Sequence, residues 1–441
     1  MVHHQAFLIL CLVHGWHSRQ YDFVLAYPHA DIETEMYMAI PKGFTLSQGM
    51  SPSDYCLRLK KNLYGQKQAG RVWSKFLDKG LRSIGFTPSN ADGCVYYRGK
   101  TVLLVYVDDV IGFSPDSKDL DQVFKDLKQA NFDVTEEGDV CDYLGVSFER
   151  KRDGSLHLTQ GKLISQILKD VNFRSNTKPL GYPAKISEIL TASKDSPPHS
   201  AGWSYASVIG KLNYLEKCTR PELAYAVHQA ARFSSDPRQA HTAAVHHICR
   251  YLQGTVDKGI IMKPDHTKGF EVYADADWAG LWHRDTAMDD PATARSRSGI
   301  LITLAGCPVM WQSRLMSLIC LSTTEAEYCT LSDAMRHVIP MINLLEEAKE
   351  RGVINEELIP KIHCKAFEDN SGALELVKVP KMRPRTKHIN IRYHHFRSFT
   401  DGDNPKITVH AIDTEDQLAD LFTKAVRSDL FYKFRKSIMG W

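Results

Sequence analysis

The runs Val102-Leu103-Leu104-Val105-Tyr106-Val107 and Val110-Ile111-Gly112-Phe113 are apolar and rich in β-branched residues, and they flank two adjacent acids, Asp108 and Asp109. The pattern predicts two strands with the acids at or near the turn between them. Side chains alternate along a strand, so two neighbouring carboxylates cannot both face one core. A bare buried carboxylate is costly unless a cation pairs with it. A hairpin that presents carboxylate oxygen to a divalent metal accounts for the pair. A plain polar turn is the alternative, and the company of further acids decides between them.

Elsewhere the periodicity alternates between strand and helix. Ala6 to Val13 is a short apolar run that predicts a core helix capped near Gly15. No Lys or Arg precedes it and no small-residue cleavage site follows, unlike a secretory signal. Ser117 to Asn131 predicts a polar helix, strand-like pieces lie around Val134 and from Tyr143 to Phe148, and Leu158 to Val171 predicts an amphipathic helix. Ile186 to Ser204, rich in Ser, Pro and Ala, predicts a loop between lobes. Helices are expected from Ser204 to Cys218, from Pro221 to Phe233, and after Asp236-Pro237, an N-cap with Pro at the first helical position. Pro264 to Gly269 predicts a hinge. Beyond it, strands are expected at Phe270 to Asp275, Ser298 to Leu304, Val309 to Gln312 and Met316 to Leu321, then a long helix from Thr324 to Arg351. A strand from Ile362 to Phe367, a helix from Asn370, a strand from Ile407 to Ile412 and a last helix from Glu415 complete an α/β layered domain.

A length of 441 residues allows two or three domains with sizeable cores. A hydrophobic content of 43% and a charged content of 24% are ordinary for a globular chain. The net charge of +3 leaves room for a local basic groove without arguing for one. Ten cysteines without a CxxC pair suit a reducing compartment. His363-Cys364, and His246-His247 with Cys249, lack the spaced second pair of a zinc site. No apolar run is long enough to span a membrane. An intracellular protein that is not secreted is expected.

A third acid stands upstream, in Gln20-Tyr21-Asp22-Phe23-Val24-Leu25-Ala26-Tyr27. Carboxylates from two neighbouring strands can hold two magnesium ions, which clamp the attacking and leaving oxygens of an in-line phosphoryl transfer. The blocks QYDFVLAYPHADIETEMYMAIPKGF, LKKNLYGQKQAGRVW, LLVYVDDVIGF, YLGVSFER and LTQGKLISQIL occur in an order that resembles the reverse transcriptase of copia-type long-terminal-repeat retrotransposons. The resemblance implies that Asp22, Asp108 and Asp109 are the metal ligands. It makes Tyr27 the aromatic gate beneath the incoming sugar and places Leu63 to Ala69, including Gly65, Lys67 and Gln68, on the nucleotide and template side. Lys60, Lys61 and Lys67 would face phosphate. In the family the basic fingers precede the equivalent of Phe7, so truncated fingers are expected. Gly70 stands where the family usually has Pro, and Gln66 where it has Leu.

A second set of acids follows. Tyr273-Ala274-Asp275-Ala276-Asp277-Trp278 ends a strand, and Ser322-Thr323-Thr324-Glu325-Ala326-Glu327-Tyr328 opens a helix with Thr324 as a candidate N-cap. Glu368-Asp369-Asn370 follows another strand, and Glu415 to Asp420 lies in the last helix. Singly, these acids read as helix-start charges and caps. Together, and with VYADADWAG, ARSRSGILITLAGCPVMWQS, LSTTEAEYCTLSDA, EDNSGALEL, RTKHINIRYHHFR and EDQLADLFTKAV, they resemble the copia-type RNase H domain. That implies metal ligation by Asp275, Glu327, Asp369 and Asp420, with Arg385, Lys387 and His388 near the scissile strand. Glu327 is preferred over Glu325 because the family's glutamate precedes an aromatic, here Tyr328. Asn390 replaces the family's Asp, Ala425 its Pro and Glu222 its Asp, and Pro340 should kink the long helix.

The expected architecture is therefore α+β. A polymerase palm with truncated fingers and a thumb start spans residues 1–180, a mostly helical connection 181–264, an α/β RNase H-like domain 265–428 and a C-terminal tail 429–441. The resemblance implies an RNA-directed DNA polymerase that also cuts the RNA of RNA–DNA hybrids, with two Mg2+ or Mn2+ ions per site. Its partners would be an RNA template, a DNA primer, the hybrid, dNTPs and other Pol or Gag products, in cytoplasmic virus-like particles or the nucleus and away from membranes. The contrasting expectation is a truncated, catalytically impaired remnant that only binds nucleic acid.

Overall fold

The computed structural model describes the chain apart from residues 1, 48–50, 174–176, 187, 189, 193–194, 286, 289, 360–361 and 379–394. Its first helix, α1 (Val2–His14), ends before Gly15 at φ +63°, a conformation glycine adopts without penalty. Packing divides the chain into two units, one of Gly15–Val140 with Glu347–Val353, the other of Met1–His14, Cys141–Glu346 and Ile354–Trp441. The boundaries expected at 180 and 264 are thus not packing boundaries. Strands and helices from 141 to 253 share one unit with the C-terminal sheet, because they bury their apolar faces there.

The smaller unit holds β1 (His17–Phe23), α2 (Ala26–His29), β2 (Tyr37–Ala39), β3 (Cys56–Arg58), α3 (Ala69–Ser83), β4 (Thr87–Pro88), β5 (Val95–Arg98), β6 (Thr101–Tyr106), β7 (Asp109–Ser114), α4 (Ser117–Gln129) and β8 (Val134–Gly138). Six of the strands form a sheet in the order β4-β5-β6-β7-β1-β8, and β2 pairs with β3 in a separate ribbon. In α3 the buried residues Ala69, Val72, Trp73, Leu77 and Leu81 recur at helical spacing. In α4 the Asp116 carboxylate caps the amide of Lys118, and Leu120, Val123 and Leu127 form the buried stripe. Both stripes meet Tyr21, Phe23, Leu103, Val105 and Val110 of the sheet in one core. Each such side chain, fully buried, contributes roughly 1.5–3 kcal/mol.

The larger unit continues with β9 (Asp142–Tyr143), β10 (Val146–Arg150), β11 (Leu156–Thr159), α5 (Gly161–Asp170), α6 (Tyr205–Cys218), α7 (Ala224–Ala231), α8 (Gln239–Gln253) and β12 (Ile260–Met262). After these come β13 (Phe270–Asp277), β14 (Arg297–Leu304), β15 (Cys307–Leu315), α9 (Thr323–Glu350), β16 (Cys364–Glu368), α10 (Ser371–Lys378), α11 (Arg397–Thr400), β17 (Ile407–Ala411), α12 (Asp420–Thr423) and α13 (Ser428–Met439). Five strands form a sheet in the order β15-β14-β13-β16-β17. The β13 strand is antiparallel to β14 and parallel to β16, which is parallel to β17. The carboxyl ends of β13 and β16 therefore lie at the same end of the sheet. A smaller sheet has the order β12-β11-β10-β9.

Several expected boundaries shift. Leu156–Thr159 is a strand and the helix starts at Gly161, because Leu156 and Leu158 alternate into the core between β10 and β12. The helix expected at Asp236-Pro237 starts at Gln239. Its cap is Arg238, whose amide donates to the His241 ring at 2.9 Å, while Asp236 pairs with the Arg238 guanidinium at 2.7 Å. Residues 316–321 are not a strand. Leu315 already pairs with Arg297, the first residue of β14, so the chain has no ladder left beyond it. The expected hinge is a turn in which the Asp265 amide donates to Ala305 and the Asp265 carboxylate accepts from Thr267. The last helix is broken into a 3-10 turn (Thr414–Asp416), α12 and α13. The expected tail is thus mostly helix, with Phe431, Phe434, Ile438 and Met439 buried. Helix α9 continues through Pro340.

Candidate active sites: two clusters of carboxylates

In the smaller unit Tyr106 pairs with Asp109, so Val107 and Asp108 form the two-residue turn of the β6–β7 hairpin. Val107 has φ +57°, an outlying conformation for a β-branched residue. Three contacts hold it there. The Val107 carbonyl accepts from the Trp73 indole at 2.8 Å, the Asp108 carbonyl accepts from the Phe23 amide at 2.9 Å, and Asp109 lies opposite Asp22 across β1 and β7. The fold thus sets all three acids side by side at one end of the sheet. Burial, and then Asp108, raise the pKa of Asp22. Burial, then Asp22, Asp108 and Glu137, raise that of Asp109. Asp108 keeps Oδ1 buried without a hydrogen-bond partner, and its Oδ2 accepts a 2.5 Å bond from the Tyr64 hydroxyl.

Tyr64 stacks at a tilt on Tyr27, with ring centroids 4.5 Å apart, so the expected sugar gate is in contact with a residue that reaches the acids. Gly65 follows at φ +92°. Gln68 is turned instead to Met36, with its amide nitrogen 2.8 Å from the sulfur. Lys67 is exposed and has no ion-pair partner among the described residues. Lys61 is committed to a surface ion pair with Asp31 at 2.6 Å.

The second cluster is tighter. One carboxylate oxygen from each of Asp275, Glu327 and Asp369 lies within 4.8 Å of the other two, and among the described residues no other His, Cys, Asp or Glu side chains form such a set. Asp22, Asp108 and Asp109 do not converge to this degree. Asp275 is near the end of β13, Glu327 is in the first turns of α9, Asp369 follows β16 and Asp420 opens α12. Asp275, Glu327 and Asp420 are at most 4% exposed. Burial, followed by Asp275, Glu368 and Asp369, raises the pKa of Glu327, and burial followed by Asp275 pushes that of Asp420 up to about 7. Like charges crowded away from water explain both directions.

Three further groups complete this cluster, and the sequence reading passed them over. Glu368, fully buried, closes β16 beside Asp369, and its pKa is raised by burial and then by Asp369 and Asp275. The Thr423 hydroxyl donates to Oδ2 of Asp275. Lys424 pairs with Asp420 at 2.8 Å, and although burial opposes its charge, Asp275 and Asp420 raise its pKa overall. The signal for Lys424 was its i,i+4 spacing from Asp420 on a helical start. Glu325 belongs to the helix cap. Its amide donates to the Ser322 hydroxyl at 3.2 Å and its carboxylate accepts from the Leu321 amide at 2.7 Å, so Ser322, not Thr324, begins α9 with a variant of the capping box. Arg385, Lys387 and His388 lie outside the described residues.

The donor sets are oxygen only, and Asp108 Oδ1, Glu327 Oε2 and Glu368 Oε2 are buried without hydrogen-bond partners. Such oxygens suit a hard cation such as Mg2+ or Mn2+ rather than a thiophilic one.

Residues 4–184 match the family described as reverse transcriptase (RNA-dependent DNA polymerase). The chain is 32% identical over 434 residues to the retrovirus-related Pol polyprotein from transposon TNT 1-94 of Nicotiana tabacum, a match covering 96% of this chain and 30% of the relative. It is 33% identical over 428 residues to the corresponding polyprotein from transposon RE2 of Arabidopsis thaliana, covering 96% of this chain and 28% of the relative. A putative transposon Ty5-1 protein of Saccharomyces cerevisiae is 27% identical over 326 residues, covering 72% of this chain and all of that protein. The chain thus spans less than a third of the length of the two plant polyproteins. Residues 4–184 belong to the reverse transcriptase family, in a chain that is a reverse transcriptase region of a copia-type retrotransposon Pol polyprotein.

Proposed function

We propose that this chain is an RNA-directed DNA polymerase that also hydrolyses the RNA strand of RNA–DNA hybrids, each reaction being a two-metal phosphoryl transfer at its own carboxylate cluster. The observation that carries the reading is the presence of two separate clusters, each with a buried carboxylate oxygen that lacks a hydrogen-bond partner. In this reading the six-stranded sheet is the polymerase palm and the five-stranded sheet is the RNase H-like layer. Divalent cations supply charge stabilisation to the reacting phosphoryl group and an acidified nucleophile. Asp22, Asp108 and Asp109 hold them at the first centre, and Asp275, Glu327, Asp369 and Asp420 at the second.

Tyr27 lies beneath the incoming sugar and excludes a 2′-hydroxyl there, with Gly65, Lys67 and Gln68 on the nucleotide and template side. Arg385, Lys387 and His388, which lie outside the described residues, are assigned to the neighbourhood of the strand that is cut. Discrimination of RNA from DNA at the second centre uses the 2′-hydroxyl. The substrates are an RNA template, a DNA primer, dNTPs and the hybrid, met inside the cell alongside other products of the element. No helix among the described residues is long and apolar enough to cross a membrane.

The test is magnesium-dependent primer extension and hybrid cleavage by the full chain. Asp108→Asn should abolish extension and spare cleavage, and Asp275→Asn should do the reverse. Extension by the wild type no greater than by Asp108→Asn removes the polymerase assignment. Cleavage unchanged in Asp275→Asn removes the ribonuclease assignment.

A further inference from the structure

Three sulfur atoms meet beside the first turns of α9. The Cys329 thiol donates a hydrogen bond to the sulfur of Cys320, and the Cys320 thiol donates to the Met316 sulfur at 3.6 Å. Cys320 therefore stands between two further sulfurs, and all three residues are at most 4% exposed. Thiolate and thioether ligands together select a soft cation such as Cu(I). A metal–thiolate bond is about 2.3 Å long, which puts three sulfurs around one ion about 4 Å apart. The 3.6 Å between Cys320 and Met316 is already close to that spacing. Among the described residues no third Cys, His, Asp or Glu converges with the two thiols, so the four-ligand set of a structural zinc site is not met.

The fold holds each ligand in place. The Met316 amide donates to the Ser296 carbonyl at 2.9 Å, the Cys320 carbonyl accepts from the Trp278 indole at 3.0 Å, and Cys329 lies within α9. Little ordering is left for an ion to impose. Met316 and Cys329 also line a recess of about 320 Å³, which gives a path of entry. Arg295, Arg314 and Arg336 line the same recess and offset the negative charge that remains when two thiolates hold one monovalent ion. Cys329 is two residues after Glu327 and so about 200° around the helix axis from it, on the side of α9 away from the carboxylates. We propose that Met316, Cys320 and Cys329 form a three-sulfur site for a soft monovalent cation, Cu(I). Binding releases the two thiol protons to solvent and ties the segment after β15 to α9. The site takes no part in the carboxylate chemistry.

The experiment titrates the reduced full chain with Cu(I) alone, in the absence of oxygen, against a chromogenic Cu(I) chelator. The wild type should bind one equivalent more than the variant carrying both Cys320→Ser and Cys329→Ser. Cys94→Ser, at an exposed thiol, should match the wild type. Met316→Leu keeps the apolar volume and should weaken this equivalent at least about tenfold, as the loss of even a ligand's supporting partner does. X-ray absorption at the copper edge of the wild type with one equivalent bound should show three sulfur neighbours at about 2.3 Å, a reading that needs no variant to fold. Equal copper uptake by the wild type and the double variant overturns the site, as does unchanged affinity in Met316→Leu. Only two sulfur neighbours would remove Met316 and overturn the three-sulfur centre. Conversion of Cys320 and Cys329 to a disulfide by glutathione disulfide, with no Cu(I) taken up by the reduced protein, would make the pair a redox couple and also overturn the proposal.

Discussion

The hydroxyl of Tyr64 donates a 2.5 Å hydrogen bond to Oδ2 of Asp108, so the acid at the tip of the β6–β7 hairpin is held by a residue from the segment before α3. Partial burial, and then Asp108, push the Tyr64 pKa up to about 12, so the phenol stays protonated and donating through the neutral range. A cation that uses this oxygen competes with that bond. Tyr64→Phe should therefore bind Mn2+ at the first cluster about two- to tenfold more tightly, consistent with the loss of one hydrogen bond of about 0.5–1.5 kcal/mol. Titration calorimetry on an Asp275→Asn background reads the first cluster with the second impaired. Equal affinity with and without the Tyr64→Phe substitution would show that the hydroxyl does not compete.

The second cluster stores repulsion. Glu327, Glu368, Asp369 and Asp420 all have raised pKa values, first because they are buried. Glu327→Gln replaces an acid whose ionised form this site disfavours with a permanently neutral amide of nearly the same shape, so the cost of holding the acid protonated is lost. In EDTA at neutral pH it should stabilise the protein by about 1 kcal/mol, as neutralised site residues commonly do. In Mg2+ the wild type should gain thermal stability and the variant should gain little. Denaturant melts with and without the metal check both halves, and a Glu327→Gln variant less stable than the wild type in EDTA would count against a repulsive cluster.

Gly299 is pressed against α12. A Cβ there would come within 2.6 Å of Thr423 Cγ2 and 2.7 Å of the Ala419 carbonyl. Backbone and a β-branched side chain cannot both retreat without moving the short helix that carries Asp420. Gly299→Ala should cost about 1–3 kcal/mol of stability, as overpacked cores do. It should also lower hybrid cleavage more than primer extension, because the displaced groups serve the second cluster. Equal loss of the two activities would mean general unfolding instead.

His228 supplies a pH dependence away from either cluster. Its Nδ1 accepts from the buried Arg297 guanidinium at 3.0 Å, which requires a neutral ring. Burial and then Arg297 depress its pKa to about 3. The folded state therefore binds this proton less readily than the unfolded chain does. Its contribution is fully present above the ordinary histidine pKa near 6.5 and is lost as pH falls from there toward 3, at up to about 1.4 kcal/mol per pH unit. His228→Asn should flatten stability against pH between about 6.5 and 4. An unchanged slope would assign the acid sensitivity to other groups.

The local patterns legible in the chain are those set by near neighbours. The hairpin around Asp108-Asp109, the long helix after Ser322 and the central strand that carries Asp275 follow from alternation, helical spacing and capping. The acids themselves, together with the copia-type motifs, marked both clusters. The misjudged stretches were those where a distant partner decides. Leu156–Thr159 is a strand because β10 and β12 flank it, and residues 316–321 lose their ladder because β14 starts at Arg297. Glu368 and Lys424 join the second cluster only through the parallel pairing of β13 with β16 and the packing of α12. The sequence by itself thus determined which carboxylates are available and the elements that carry them. The tertiary structure alone decided how closely they meet, because that distance depends on strand order and register, which no local pattern encodes.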